Sequence, residues 1–327
     1  MNACVSLFAQ SPGMQAEAVE VVVTAPTFKR PRQILDTIAS VRAQRTNRRV
    51  AMIVMENETE LREGAVAAAA PFLEKALTGM VIVAHERGNC SAYNAGWETA
   101  LATFPNFKYL LVIDDDEIAD PDWIEQMCAT AERLHADIVG GPQVPVFEDA
   151  AQQAWQAHPV FAPAHRATGR VPVLYSSGNL AISRRVLETM PRPFLDLRFN
   201  FMGGGDSDFL SRAARAGFAL AWCDEGRVRE TVPSRRTEAD WIRARSLRNG
   251  VISTLVEKRA RAGTPLANFK VLGRSLALLC AAPFRAALQL ARTASPAIAT
   301  YPIYVALGRV MAEFGYSNEQ YRQPERN

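Results

Sequence analysis

The sequence predicts an α/β fold: a doubly wound, mostly parallel mixed sheet with helices on both faces and a helical extension behind it. Three observations carry this prediction. Four apolar runs of strand length, at 19–25, 49–55, 80–84 and 109–113, each give way to a polar loop and then to a segment of helical periodicity. The runs are continuously apolar, as suits strands covered on both faces, whereas half-exposed strands alternate. From about residue 241 the strand runs cease and helical spacing takes over.

The 327 residues suffice for one such domain and an appendage. With 48% hydrophobic and 22% charged residues the chain is ordinarily globular, and a net charge of +3 is too small to argue for a nucleic-acid partner. Cys4, Cys90, Cys128, Cys223 and Cys280 show no CxxC spacing. Neither a zinc site nor a disulfide framework is expected, and a reducing cytoplasm is the simplest setting. The first residues lack the regions of a signal peptide, and 1–18 reads as a lead-in.

Taken in order, the first strand is stopped by Pro26-Thr27-Phe28-Lys29-Arg30-Pro31. Ile34, Leu35, Ile38 and Val41 then repeat at helical spacing over 32–43. The second strand ends in Glu56-Asn57-Glu58, and an alanine-rich helix covers about 61–77. After the third strand, the segment from Gly88 through Asn94 to Gly96 runs into a helix that lasts to about Phe104. The fourth strand ends abruptly in Asp114-Asp115-Asp116-Glu117, and Pro121-Asp122-Trp123 restarts a helix over 123–134. A short strand follows at 136–142. Periodicity is weak over 147–170, where a surface flap is expected. Strand character resumes at 174–182, and Gly203-Gly204-Gly205-Asp206-Ser207-Asp208-Phe209 opens a helix through Arg215.

The acidic strand end is the chemical focus. Ligands of open α/β sheets gather at the carboxyl ends of strands. Crowded carboxylates repel one another, and a hard divalent cation, Mg²⁺ or Mn²⁺, neutralises them best. The plainer alternative is an acidic turn with Asp120 or Asp122 as helix cap. On the same sheet edge, Pro26, Thr27 and Phe28 with Glu56 are placed to hold a nucleoside. Gly88, Asn94 and Gly96 precede a helix whose amides suit phosphate oxygens, though glycine there also serves plain turn chemistry. Gly204 and Gly205 permit close approach of backbone to ligand. Asp206 and Asp208 then stand at a helix start, as caps or as a cap and a general base. His85, His135, His158 and His165 form no metal-binding pair and read as surface or loop residues. Trp155 and Phe161 in the flap are placed to stack on a ligand or to pack inward.

The C-terminal segment, 241–327, reads as a helical extension. Its apolar stretch, 265–292, is interrupted by Lys270, Arg274, Arg285 and Arg292. At about 100° per residue these fall within roughly a 60° arc. A basic stripe on an apolar helix suits a membrane interface, or else the helix packs on the catalytic domain or a second subunit. The next apolar window, 293–308, holds Pro296 and Pro302 and is shorter than the ~20 residues of a span. Peripheral attachment is therefore the expectation.

The order and types of these pieces, over about 21–250, resemble the family 2 glycosyltransferases, and within them the succinoglycan-biosynthesis ExoM-like branch. The resemblance rests on the Pro-Thr-Phe-Lys-Arg-Pro opening, Glu56-Asn57, Asn94-Ala95-Gly96, Ile-Asp-Asp-Asp-Glu with Pro-Asp-Trp, and Gly140-Gly141-Pro142. It continues through Ser177-Gly178-Asn179, the Gly-Gly-Gly-Asp-Ser-Asp-Phe box with Arg212, and Glu230-Thr231-Val232-Pro233 with Arg236. It implies a GT-A-type, Rossmann-like domain over 19–240 that transfers a sugar with inversion. The donor would be a nucleotide sugar, usually a UDP-sugar, and the acceptor lipid-linked or polysaccharide in exopolysaccharide or cell-surface glycan synthesis. The aspartate run matches the family's DxD motif. Asp114 and Asp116 would hold Mg²⁺ or Mn²⁺, and Asp115 and Arg236 would help bind the nucleotide. Asp206 matches the aspartate of the family's Glu-Asp box and would be the base. Gly205 stands where that box has glutamate, which leaves Asp208 as the alternative base. Ser177, Gly178, Asn179, Gly204 and Gly205 would line the sugar or acceptor pocket. The implied place of work is the cytoplasmic face of the membrane.

Two other readings compete. A sugar-nucleotide pyrophosphorylase shares the sheet and the metal but needs a glycine-rich basic loop after the first strand, and Lys29-Arg30-Pro31 has no glycine. A non-catalytic nucleotide-sugar-binding subunit would keep the metal loop and lose the base, yet both acidic clusters are present.

Overall fold

The computed structural model describes residues 4–316, so residues 1–3 of the lead-in and 317–327 of the extension lie outside the described residues. The chain forms two units. One comprises the residues up to Val144 with Ala164–Phe201 and Gly205–Glu230; the other comprises Pro145–Pro163, Met202–Gly204 and the chain from Thr231 onward.

In order, the first unit contains β1 (Val5–Gln10), β2 (Val21–Thr27), α1 (Gln33–Arg42), β3 (Val50–Glu56), α2 (Glu63–Leu73), β4 (Gly79–Ala84) and α3 (Asn89–Thr103). It continues with β5 (Tyr109–Ile113), β6 (Glu117–Ala119), α4 (Trp123–Leu134), β7 (Ile138–Gly140) and β8 (Gln143–Phe147), which leads into the second unit. The chain returns through β9 (Gly169–Arg170), β10 (Asn179–Ser183), α5 (Arg184–Thr189), α6 (Gly205–Arg215), β11 (Leu220–Trp222) and β12 (Val228–Val232).

The main sheet is mixed, in the order β1-β4-β3-β2-β5-β10-β7-β11-β9. Strands β4, β3, β2 and β5 are mutually parallel, β10 runs antiparallel to both β5 and β7, and β11 is parallel to β7. The expected lead-in contains a strand, since β1 pairs antiparallel with β4 at the sheet edge.

Both faces are covered, which is why the strand runs are continuously apolar. Side chains of β-strands alternate between faces. Val21, Val23, Met52, Val54, Leu111 and Ile113 share one buried cluster with Ile34 and Ile38 of α1, Phe72 of α2 and Trp123 and Met127 of α4. The alternate set, including Val22, Ile53, Met55, Leu110 and Val112, is equally buried, and α3 packs against β2, β3 and β4. Gly96 lets α3 approach, because a Cβ there would lie 2.6 Å from the Met55 sulfur.

The topology places the chemistry. Strand β5 stands where the parallel half of the sheet meets antiparallel β10, and Ile113 pairs with Asn179. Because β10 runs backwards, the residues that precede Asn179 must lie beside those that follow Ile113.

In the second unit, α7 (Ala239–Ala260), α8 (Ala267–Thr293) and α9 (Pro296–Glu313) pack together. Glu257 of α7 accepts from Arg309 (2.7 Å), Arg274 (3.1 Å) and Arg261 (3.2 Å), and Lys258 pairs with Glu313 at 2.7 Å. Part of the expected flap folds here as a 3-10 helix, Ala150–Ala157. The reading of His158 as a surface residue is corrected: it is fully buried with its ring edge-on to Trp155 and Tyr301, and burial lowers its pKa. Phe161 packs inward, stacked on Trp241 with a ring-centre separation of 6.1 Å.

Candidate active site

The four carboxylates after β5 divide by burial. Asp114 and Asp116 keep part of their surface, while Asp115 and Glu117 are buried. The buried pair is built into the scaffold. Glu117 accepts from the Asp114 amide (2.8 Å) and from Gln143 Nε2 (2.6 Å), and its carbonyl accepts from Thr37 (2.8 Å). Asp115 accepts from Thr27 Oγ1 and from Arg30 Nη1, both at 2.9 Å, and the same Arg30 nitrogen donates to Asp116 at 2.8 Å. Tyr93 of α3 donates its hydroxyl to Asp114.

Burial and mutual repulsion make this an uncomfortable set of anions. Burial, with Asp116 beside it, pushes Asp114 up to about 7. Asp115 rises to about 6 through burial, although Arg30 opposes the shift. Burial and the nearby Asp114 hold Glu117 well above the usual carboxylate range. The chemistry suits a hard divalent cation, which would relieve the repulsion. No group of three or more metal-ligating side chains gathers among the described residues. Asp114 and Asp116, the two that keep part of their surface, are the carboxylates that could reach such an ion.

These shifts fix a sign. The folded chain binds protons that the unfolded chain has released, so stability falls as pH rises through that window. In metal-free buffer this cluster's contribution to the unfolding free energy is expected to decline from about pH 4, the unfolded carboxylate value, through about pH 7, where Asp114 ionises, while buried His158 acts in the opposite direction. Added Mg²⁺ or Mn²⁺ is expected to recover stability at about pH 7 and little at about pH 5, as read by urea unfolding with cation or with EDTA.

The second acidic group comes within reach through the turn before β10. The Ser177 amide donates to Asp206 Oδ2 at 3.2 Å. At the next residue, a Cβ on Gly178 would lie 3.0 Å from Asp114 Oδ2 and 2.9 Å from Glu117 Oε1. Consecutive residues thus touch Asp206 and the Asp114 cluster, groups that are remote in sequence. The two carboxylates of α6 differ in setting. Asp206 keeps part of its surface, whereas Asp208 is 1% exposed and paired with Arg212 at 2.9 Å, one helical turn on. Gly205 is needed for packing, because a Cβ there would lie 2.5 Å from the Cys90 sulfur. Gly204 belongs to the second unit and has φ +94°, a conformation open to glycine.

Three expected ligand residues are instead turned toward the chain's own groups. Glu56 is fully buried and accepts from the Glu58 (2.9 Å) and Ala65 (2.8 Å) amides, which caps the start of α2. Asn94 is locked to Leu195 through both backbone groups, at 2.8 and 2.9 Å. Asn179 accepts from Trp123 Nε1 and donates to the Pro142 and Gly226 carbonyls. Pro26 and Thr27 are the last residues of β2, and the Phe28 ring beyond them carries the Arg87 guanidinium 5.1 Å from its centre. Arg236, in the second unit, lies over Trp241 at 6.0 Å. Sequence reasoning passed over Tyr93, Arg30, Thr37 and Gln143 as site residues. Only Arg30, a cation in the loop after the first strand, carried a signal that could have been matched to the acidic run.

Comparison with known proteins bears on the family and the fold. The glycosyltransferase like family 2 profile matches residues 17–249. The succinoglycan biosynthesis protein ExoM of Rhizobium meliloti (strain 1021) is 25% identical over 244 residues, which cover 72% of this chain and 75% of ExoM. Two structures of S. aureus TarS 1–349, one in complex with UDP, are similar in fold. Each has a TM-score of 0.50 over 94% of this chain and 98% of TarS 1–349, at 12% and 13% identity.

Proposed function

The chain belongs to glycosyltransferase like family 2, and from that premise we propose an inverting transfer of a sugar from a UDP-sugar to a hydroxyl of a lipid-linked or polysaccharide acceptor at the cytoplasmic membrane face. One observation carries the reading: Ser177 and Gly178, adjacent in sequence, touch Asp206 and the Asp114 cluster respectively. A sugar held between a diphosphate site and a carboxylate needs that juxtaposition.

The acceptor hydroxyl is a poor nucleophile at neutral pH, so a carboxylate must take its proton as the oxygen attacks the anomeric carbon. Asp206 would take this role; its partial exposure and the bond it accepts from the Ser177 amide support the assignment. The bond from the anomeric carbon to the diphosphate oxygen breaks as the new bond forms on the opposite face, which inverts the configuration. Asp114 and Asp116 would hold Mg²⁺ or Mn²⁺, which supplies Lewis-acid stabilisation of the departing diphosphate. Tyr93 and Arg30 donate to those carboxylates, and Glu117 accepts from the Asp114 backbone amide. Phe28 and Arg87 offer a flat face and a cation near the nucleotide side of the sheet edge.

The test is UDP release from a panel of UDP-sugars with membrane extract as acceptor, at low and high divalent cation. Cation-dependent UDP release is expected. Pyrophosphate release would indicate a nucleotidyltransferase, and UDP binding without turnover a non-catalytic subunit. Gly178→Ala offers a second check. Its methyl would collide with the Gln143 amide and crowd Asp114. Overpacking of about 1–3 kcal/mol, felt at the diphosphate site, is expected to weaken cation-dependent UDP binding roughly tenfold in calorimetry.

A further inference from the structure

The strongest feature outside the site is the outer face of α8. This helix is long and apolar enough to cross a membrane, yet only 17% of its most apolar window is buried. Its inward face is short on bulk: Val271, Ser275 and Ala282 are its buried residues. Taken at about 100° per residue, Leu276, Phe269 and Phe284 lie roughly 120–200° round from that face, on the side turned away from the other helices. Phe284 is 80% exposed and Phe269 73%. Lys270, Arg274, Arg285 and Arg292 occupy the arc of about 60° between the two faces, and α8 has no aspartate or glutamate anywhere along it.

We propose that α8 lies in the plane of an anionic lipid surface, with Phe269, Leu276 and Phe284 immersed and the cations on its flank at the phosphates. The inference deepens the membrane-face part of the reading above and is independent of the transfer chemistry. Charge selects the occupant. A flank with Lys270, Arg285 and Arg292 and no acidic residue of α8 itself, beside exposed aromatic and aliphatic side chains, complements anionic headgroups over acyl chains. A spanning orientation is disfavoured by the same residues. Arg274 and Arg285 lie well inside the helix, and Arg274 is tied to Glu257 of α7, a helix that also carries Arg243, Arg245, Lys258 and Arg259. The cost of drawing such partners into hydrocarbon is several kcal/mol for each charge. An in-plane helix needs none of them to leave the interface.

The test uses the full chain and vesicles of phosphatidylcholine alone or with about a third phosphatidylglycerol. Co-sedimentation with the anionic vesicles is expected, falling at least about tenfold on joint reversal of Lys270, Arg285 and Arg292 to Glu. A similar fall is expected for Phe269→Glu with Phe284→Glu, without loss of cation-dependent UDP binding. Cys280, exposed on α8, gives a probe that needs no charge reversal. With Cys4→Ser, an environment-sensitive label on Cys280 is expected to shift to the blue on anionic vesicles and to be quenched more by shallow than by deep lipid nitroxides. Absence of vesicle binding, equal binding to both lipids, or deep quenching would overturn the proposal. So would a dimer in light scattering that Phe284→Glu dissolves, which would assign the face to a second copy. Loss of UDP release with vesicle binding intact would count against the transferase reading alone.

Discussion

Asp206→Asn is expected to lower turnover by about 10²–10⁴-fold while leaving the affinity for UDP and divalent cation nearly unchanged. The substitution keeps the shape and an oxygen to accept from the Ser177 amide, 3.2 Å away; it removes the capacity to take a proton and, with it, the bond that the Ser207 amide donates to the other oxygen at 2.7 Å. The split between the two readouts is the informative part. A group that merely capped α6 would alter stability and would not act on the rate alone. Steady-state kinetics with saturating donor, set beside calorimetric UDP binding, make the check. Turnover within a few-fold of the parent would exclude Asp206 as the base.

Asp208→Ala is expected to behave in the opposite way. Its carboxylate is buried and paired with Arg212, which also donates to the Phe194 carbonyl beside the Trp97, Phe194 and Phe209 rings. Removing one partner of a buried pair strands the other charge, at a cost of about 3 kcal/mol. Urea unfolding followed by tryptophan fluorescence is expected to show that loss, since Trp97 and Trp123 are among the largest buried side chains of the first unit. The folded fraction is expected to retain turnover within about tenfold, far from the loss expected of a missing base. A collapse of turnover with unchanged stability would transfer the catalytic role from Asp206 to Asp208.

The sequence left that choice open because both residues occur at a helix start, where cap and base look alike. Their burial differs: Asp206 keeps part of its surface and Asp208 does not. The same limit applies to Glu56, Asn94 and Asn179: each lies in a motif that reads as ligand-facing, and each bonds the chain's own backbone or an indole. Composition and spacing report where a polar side chain occurs along a strand or loop, and not which way it faces. By contrast, β5 and the place of its acidic end were legible, since a continuous apolar run of strand length that stops at four carboxylates marks a buried strand and its end. Strand β1 was not. Val5–Gln10 is a half-exposed edge strand whose partner, β4, is some seventy-five residues away, and edge pairing leaves little periodic trace. The backward direction of β10 was equally hidden, because periodicity carries no polarity. That direction is what brings Ser177 and Gly178 to Asp114.

The shared cleft of the two acidic groups is the claim on which the chemistry depends. A crystal structure of the chain with UDP and Mn²⁺ tests it most directly, the metal being located by its anomalous scattering. The account predicts manganese on Asp114 or Asp116, bridged to the diphosphate, with the terminal phosphate facing Asp206 across a gap that a sugar ring would fill. Manganese and diphosphate bound away from Asp114, or an Asp206 carboxylate turned from the terminal phosphate, would contradict it.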